Sequence, residues 1–130
     1  MPGYSALLPF QKDPNDGFAL LQTIREVASQ NIKMVLFTEP GERVFDPAFG
    51  VGLKKYLFES STGAQTKIQL RNTISEQISR YLPYISIIDI SFESNLQNSN
   101  NDSLEEKMNK LNISIKYQIS NFSEVEVLEL

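Results

Sequence analysis

Residues 111–119 read Leu-Asn-Ile-Ser-Ile-Lys-Tyr-Gln-Ile. Leu111, Ile113, Ile115, Tyr117 and Ile119 alternate with Asn112, Ser114, Lys116 and Gln118. Successive side chains of a strand point to opposite faces, so this run predicts a strand with one face on a core and one in water. Upstream, Ile88, Ile90 and Phe92 alternate with Asp89, Ser91 and Glu93 in the same way. Residues 94–110 lie between these runs and include Gln97-Asn98-Ser99-Asn100-Asn101-Asp102-Ser103, a tract too polar to bury; a flexible loop within the sheet is expected there. Downstream, Asn121-Phe122-Ser123 predicts a tight return into a last strand, Glu124 to Leu130. That strand places Glu124, Glu126, Leu128 and Leu130 on one face and Val125, Val127 and Glu129 on the other. Neither face is purely apolar or purely polar, which suits a sheet edge better than a sheet centre.

Ahead of the strands the apolar period is 3.6. Leu70, Ile74, Ile78, Tyr81, Leu82 and Ile85 fall on one stripe, predicting a helix from about Ala64 to Leu82 that Pro83 ends. Leu21, Ile24, Ala28 and Val35, flanked by Leu20, Val27 and Ile32, predict a helix over roughly 17–36, with Asp16 as its cap. A short helix fits Gly52 to Phe58, with Leu53, Leu57 and Phe58 inward, and Ser60-Ser61-Thr62-Gly63 reads as a turn. Residues 1–16 hold Pro2, Pro9 and Pro14 and read as an irregular arm pinned by Leu7, Leu8 and Phe10. The expectation is a single α+β domain over 1–130: two main helices and a short one packed on one face of a small antiparallel three-stranded sheet.

Composition narrows the chemistry. The chain has 130 residues, 41% hydrophobic and 22% charged, enough for one sizeable core. It has no cysteine and no histidine, which excludes disulfides, Ser-His and Cys-His catalysis, and Cys- or His-built zinc sites. Neither a metal nor a cofactor is expected. Twelve Lys and Arg against sixteen Asp and Glu give a net charge of −4, which argues against a nucleic-acid partner. No run approaches the ~18 apolar residues of a membrane span. Met1-Pro2-Gly3-Tyr4-Ser5 lacks a basic segment followed by an apolar one, so no secretory signal is expected. The charge is uneven: residues 51–82 carry +3 and residues 83–130 carry −5. Opposite signs along one chain suggest polar docking surfaces.

The most distinctive stretch is Thr38-Glu39-Pro40-Gly41-Glu42-Arg43-Val44-Phe45-Asp46-Pro47-Ala48-Phe49-Gly50. Gly41 frees the backbone for a turn, Pro47 and Gly50 fix the exit, and Phe45 and Phe49 are expected to anchor the loop. Arg43 offers a rigid fork of donors for a carboxylate, with Glu42, Glu39, Asp46 or a group on another chain as its partner. The same residues suit either a loop stapled to its own core or a rigid knuckle shown to a neighbour.

This stretch, followed by Gly52-Leu53 and Leu57-Phe58-Glu59 and preceded by Leu8-Pro9-Phe10, resembles the baseplate wedge family of contractile phage tails. Relatives of that family occur in extracellular contractile injection systems and in type VI secretion baseplates. The shared pattern is Thr, two residues, Gly-Glu-Arg, three residues, Pro, one residue, Phe-Gly, and it is complete here. The resemblance implies a structural component of a baseplate, assembled in the cytoplasm and present in several copies, six being expected. It implies docking on other wedge proteins and on tube or hub proteins through Gly41, Glu42, Arg43, Pro47, Phe49 and Gly50. It also implies that the end of the chain, Glu124, Val125, Glu126, Val127, Leu128, Glu129 and Leu130, seeds the sheath by exchanging a strand with a sheath protein.

The family has also carried a lysozyme label, so a muralytic enzyme is the alternative. Glycoside hydrolysis needs two carboxyls about 5–10 Å apart, one of them held protonated. The candidates are Glu39, Glu42, Asp46 and Glu59. Glu42 precedes Arg43 directly, and an adjacent guanidinium favours a carboxylate over the acid the reaction requires. No tryptophan is present to stack on a sugar. The expectation is therefore a protein that is not an enzyme.

Overall fold

The computed structural model describes residues 3–15, 17–58, 64–94 and 111–130. Four short strands come first: β1 (Ser5–Ala6), β2 (Lys12–Asp13), β3 (Gly17–Phe18) and β4 (Leu20–Leu21). They form two antiparallel ribbons, β1 with β4 and β2 with β3. The opening segment is thus not an irregular arm, and residues 17–21 are not helical. The Asp13 carboxylate accepts the Asn15 N–H at 2.9 Å and Gly17 has φ +80°, so the chain turns back on itself before a helix can begin. Leu7 is half-buried, whereas Leu8 and Phe10 are exposed and do not pin the segment. Phe10 packs instead on Phe18, ring centroids 5.5 Å apart.

Helix α1 (Ile24–Phe37) starts at a capping box. The Thr23 hydroxyl accepts the Glu26 N–H and the Glu26 carboxylate accepts the Thr23 N–H, both at 3.2 Å. The backbone N–H of Thr23, its hydroxyl and the N–H of Gln22 hold the Glu26 carboxyl below its ordinary pKa. Ala28, Ile32, Val35 and Leu36 are buried, while Ile24, expected inward, is 40% exposed. Helix α2 spans Leu53–Phe58, with Leu53 buried, and α3 spans Ala64–Tyr81, with Leu70, Ile74 and Ile78 buried. Asp16 as a cap, the inward Leu57 and Phe58 side chains, the turn at 60–63, Glu59 and the loop within 94–110 lie outside the described residues and side chains.

Strands β5 (Ile85–Ser94), β6 (Leu111–Ile119) and β7 (Val125–Glu129) form one antiparallel sheet in the order β5-β6-β7. The single expected sheet is therefore joined by two small ribbons. Ile113, Ile115, Tyr117 and Ile119 are buried against the helices, as their alternation predicts. Ile88 departs from its predicted inward place. Ile87 pairs with Tyr117 and Asp89 with Lys116, which leaves Ile88 as the extra residue of a β-bulge, 53% exposed. The chain turns from β6 to β7 through Asn121 at φ +77°, a residue type that tolerates this conformation. The core joins Ile32, Leu36, Leu70, Ile74 and Ile78 of the helices to Ile113 and Ile115 of the sheet. Each such side chain contributes roughly 1.5–3 kcal/mol on burial.

Candidate docking surfaces

The segment from Thr38 to Gly52 leaves α1 and returns against its own base. The N–H of Val51 donates to Val35 O at 2.9 Å and that of Gly52 to Thr38 O at 3.0 Å. Inside the loop, Gly41 at φ +89° donates its N–H to Pro47 O at 2.8 Å. The Glu42 carboxylate accepts the Glu39 N–H at 3.0 Å. Gly50 sits at φ +110°, and a Cβ there would lie 2.2 Å from Thr38 O, so only glycine fits.

Helix α3 clamps the far side. Gln77 accepts the Gly50 N–H at 3.0 Å and donates to Ala48 O at 3.1 Å. The Tyr81 hydroxyl donates to Asp46 at 3.1 Å, and its ring meets Phe49 edge-on at 4.7 Å. Burial, and after it the bond to Asp46, push the Tyr81 hydroxyl above its ordinary pKa. The Arg43 guanidinium lies over the Phe49 ring, 3.7 Å from its centroid. Arg43 thus stacks on an aromatic ring; among the described residues it has no ion pair with Glu39, Glu42 or Asp46. Gly41, Glu42, Arg43, Pro47, Phe49 and Gly50 all belong to this one braced loop.

The expected anchor Phe45 does not anchor. Its side chain is wholly exposed and Val44 is 89% exposed, so the tip holds two apolar side chains and an arginine out to solvent. The loop's rigidity comes from hydrogen bonds and from Phe49 alone, which frees Phe45. Gln77 and Tyr81 are the parts sequence reasoning missed: Tyr81 reads as core stripe, and nothing in the sequence signals Gln77.

The second surface is β7. The Leu130 N–H donates to Ile113 O at 2.9 Å, and pairing continues without a bulge through Ile115↔Leu128 and Tyr117↔Glu126. In an antiparallel ladder hydrogen-bonded pairs alternate, so Leu128 and Glu126 bond to β6 while the N–H and C=O of Val125, Val127 and Glu129 point away from it. Among the described residues nothing pairs with that outer rim. Leu128 is 6% exposed and faces the core, whereas Val125 and Val127 are each 52% exposed. Arg25 of α1 ties the strand down by ion pairs to Glu124 and, at 3.3 Å, to Glu126.

The opposite edge, β5, is built differently. The same alternation turns the N–H and C=O of Ile90 outward, and both are occupied. The Asp89 carboxylate accepts the Ile90 N–H at 2.9 Å and Arg71 donates to Ile90 O at 2.5 Å. The Ile88 bulge twists this edge further. A groove of about 530 Å³ runs beside it between α3 and β5, lined by Arg71, Ser75, Ser79 and Asp89. No group of three or more acidic side chains among the described residues is placed to hold a metal ion. No helix among them is long and apolar enough to cross a membrane.

Residues 22–122 match the family of baseplate wedge protein gp25. The chain is similar to a solved candidate tail lysozyme from Geobacter sulfurreducens, at 22% identity over 85% of this chain and 91% of that one, with a TM-score of 0.67. It is also similar to a chain of the anti-feeding prophage baseplate, at 24% identity over 93% of this chain and 87% of that one, with a TM-score of 0.69. At these identities the likeness establishes the fold. None of the curated proteins matches the chain in sequence.

Proposed function

The chain belongs to the family of baseplate wedge protein gp25, and from that premise we propose that it is a baseplate adapter with two working surfaces. The braced loop docks on neighbouring wedge, tube or hub proteins through Arg43, Val44 and Phe45. The outer rim of β7 accepts a strand of a sheath protein and so starts sheath polymerisation. Six copies per baseplate fit this role, with assembly in the cytoplasm.

The observation that carries the reading is the state of β7. A row of outward N–H and C=O groups on a strand held in register is a template for β-augmentation. Deleting Glu124–Leu130 would be a poor test, because Leu128 belongs to the core. Val127→Pro is cleaner: it removes one outward donor and leaves the β6 ladder intact, and edge strands tolerate proline. The variant is expected to fold with the wild-type circular dichroism spectrum and to lose sheath nucleation in an assembly assay with purified sheath protein. Full nucleation by the folded variant would contradict the reading. For the loop, Phe45→Ala is expected to leave the melting temperature unchanged and to weaken capture by wedge partners; unchanged capture would remove the tip from the docking surface.

The name of the Geobacter protein favours a second reading, a muralytic glycosidase. Against it stand the duties of the loop carboxylates. Glu42 holds the Glu39 N–H and Asp46 holds the Tyr81 hydroxyl, so each serves the loop's own geometry. Clearance of a peptidoglycan suspension by the purified chain, abolished by Glu42→Gln, would establish the enzyme; no turnover above buffer would retire it.

A further inference from the structure

The charges on β7 specify the strand it takes. Resting on the edge reading above, we infer that the incoming strand carries a basic side chain opposite Glu129, next to β-branched or aromatic residues opposite Val127 and Val125.

Residues 121–130 hold three glutamates and neither Lys nor Arg. Two of the three are already engaged: Glu124 and Glu126 share the single positive charge of Arg25. Glu129 is exposed, on the face it shares with Val125 and Val127. Its neighbour across β6 is Ser114, which is uncharged. Lys116 is the cation of that face, but it stands opposite Val127 on one side and Asp89 on the other, and reaches Glu129 only diagonally. Glu129 has no ion pair among the described residues. The position directly across from it on the free side is therefore the one place where a charge decides the pairing.

Opposite charges across a strand pair stabilise it and like charges destabilise it. A second copy in the register that sets Glu129 against Glu129 would place like charges opposite each other and is disfavoured. A strand with Lys or Arg in register would be accepted. The half-exposed Val125 and Val127 add apolar area that a β-branched or aromatic neighbour covers. Glu129 thus disfavours that self-paired register and selects the partner with one side chain.

Three seven-residue peptides, flanked by Gly-Ser, with Lys, Thr or Glu at position 2, Val at positions 4 and 6 on the same face and Thr elsewhere, test this by fluorescence anisotropy against the full chain at low salt. The Lys peptide is expected to bind about three- to fivefold tighter than the Thr peptide, the scale of an exposed ion pair, and the Glu peptide weakest. Glu129→Gln is expected to remove most of that preference. Glu93→Gln changes the net charge equally but lies on β5, and is expected to leave the preference intact. Equal binding of the Lys and Thr peptides, or equal loss in the two variants, would overturn the charge inference and spare the edge reading. Failure of all three peptides to bind would overturn both.

Discussion

Along β5 the outward N–H of Ile90 ends on the Asp89 carboxylate and its C=O on Arg71, while along β7 the outward groups of Val125, Val127 and Glu129 end on no residue described. The two strands flank the same β6 and share one core, so the contrast does not come from packing. It comes from which side chains stand beside each rim. Around Ile90, one residue of the strand and one of α3 reach across and use the backbone's free valences. Around β7, Arg25 reaches the strand but spends its donors on Glu124 and Glu126, carboxylates rather than backbone. At Ile90 the β5 edge is occupied by its own protein, while the β7 edge is held still and, among the described residues, left open. An edge that must receive a foreign strand needs both properties, since a disordered rim would lose conformational entropy on pairing.

The comparison can be broken from several directions. The largest effect is expected from Leu128→Ala, which empties a core position under β7 and should lower unfolding free energy by about 2–4 kcal/mol in chemical denaturation. Val127→Ala, one residue away on the outer face, should cost less than about 1 kcal/mol; similar losses from both would show that the two faces of β7 are not distinct. Arg71→Ala removes the cover from Ile90 O. A loss of about 1 kcal/mol is expected, with concentration-dependent association in light scattering as the β5 rim opens. A variant that stays monomeric would mean that the bulge alone guards that edge. The smallest effect belongs to Arg25→Ala. Its pairs are exposed, so less than about 1 kcal/mol is expected, and the difference from wild type should vanish in 1 M salt. A salt-independent loss would assign Arg25 a packing role, through its place 5.7 Å over the Phe122 ring.

Much of this architecture is legible in residues 64–130. The stripe of Leu70, Ile74 and Ile78 and the alternation of Ile113, Ile115 and Tyr117 are long and regular, and one face of each is buried as drawn. Short or cooperative features are not legible. Leu20, Leu21 and Ile24 fall at helical spacing, yet the sequence Thr23-x-x-Glu26 is the start signal, and the residues before it pair as ribbons. The bulge at Ile88 depends on register against β6, which no local pattern encodes. In the loop, the Gly41 to Gly50 motif marks a turn and a braced segment. It does not say that Arg43 chooses the face of Phe49 over a carboxylate, nor that Gln77 and Tyr81 supply the brace. Those partners lie about thirty residues away in sequence, and their roles are set by how α3 packs. The edge character of β7 is readable from its mixed faces; the guard on β5 is not, because Arg71 and Asp89 become neighbours of Ile90's backbone only once the sheet has formed.

Amide hydrogen exchange resolved by residue tests the contrast most directly, with the free chain compared to the chain joined to sheath protein. In the free chain the Val127 amide is expected to exchange nearly as fast as an unstructured one, while the amides of Leu128 and Ile90 are protected. On joining sheath, the Val127 amide should become protected and the Ile90 amide should not change. Protection of Val127 already in the free chain, or its continued rapid exchange in the complex while β5 slows, would contradict the assignment of β7 as the receiving edge.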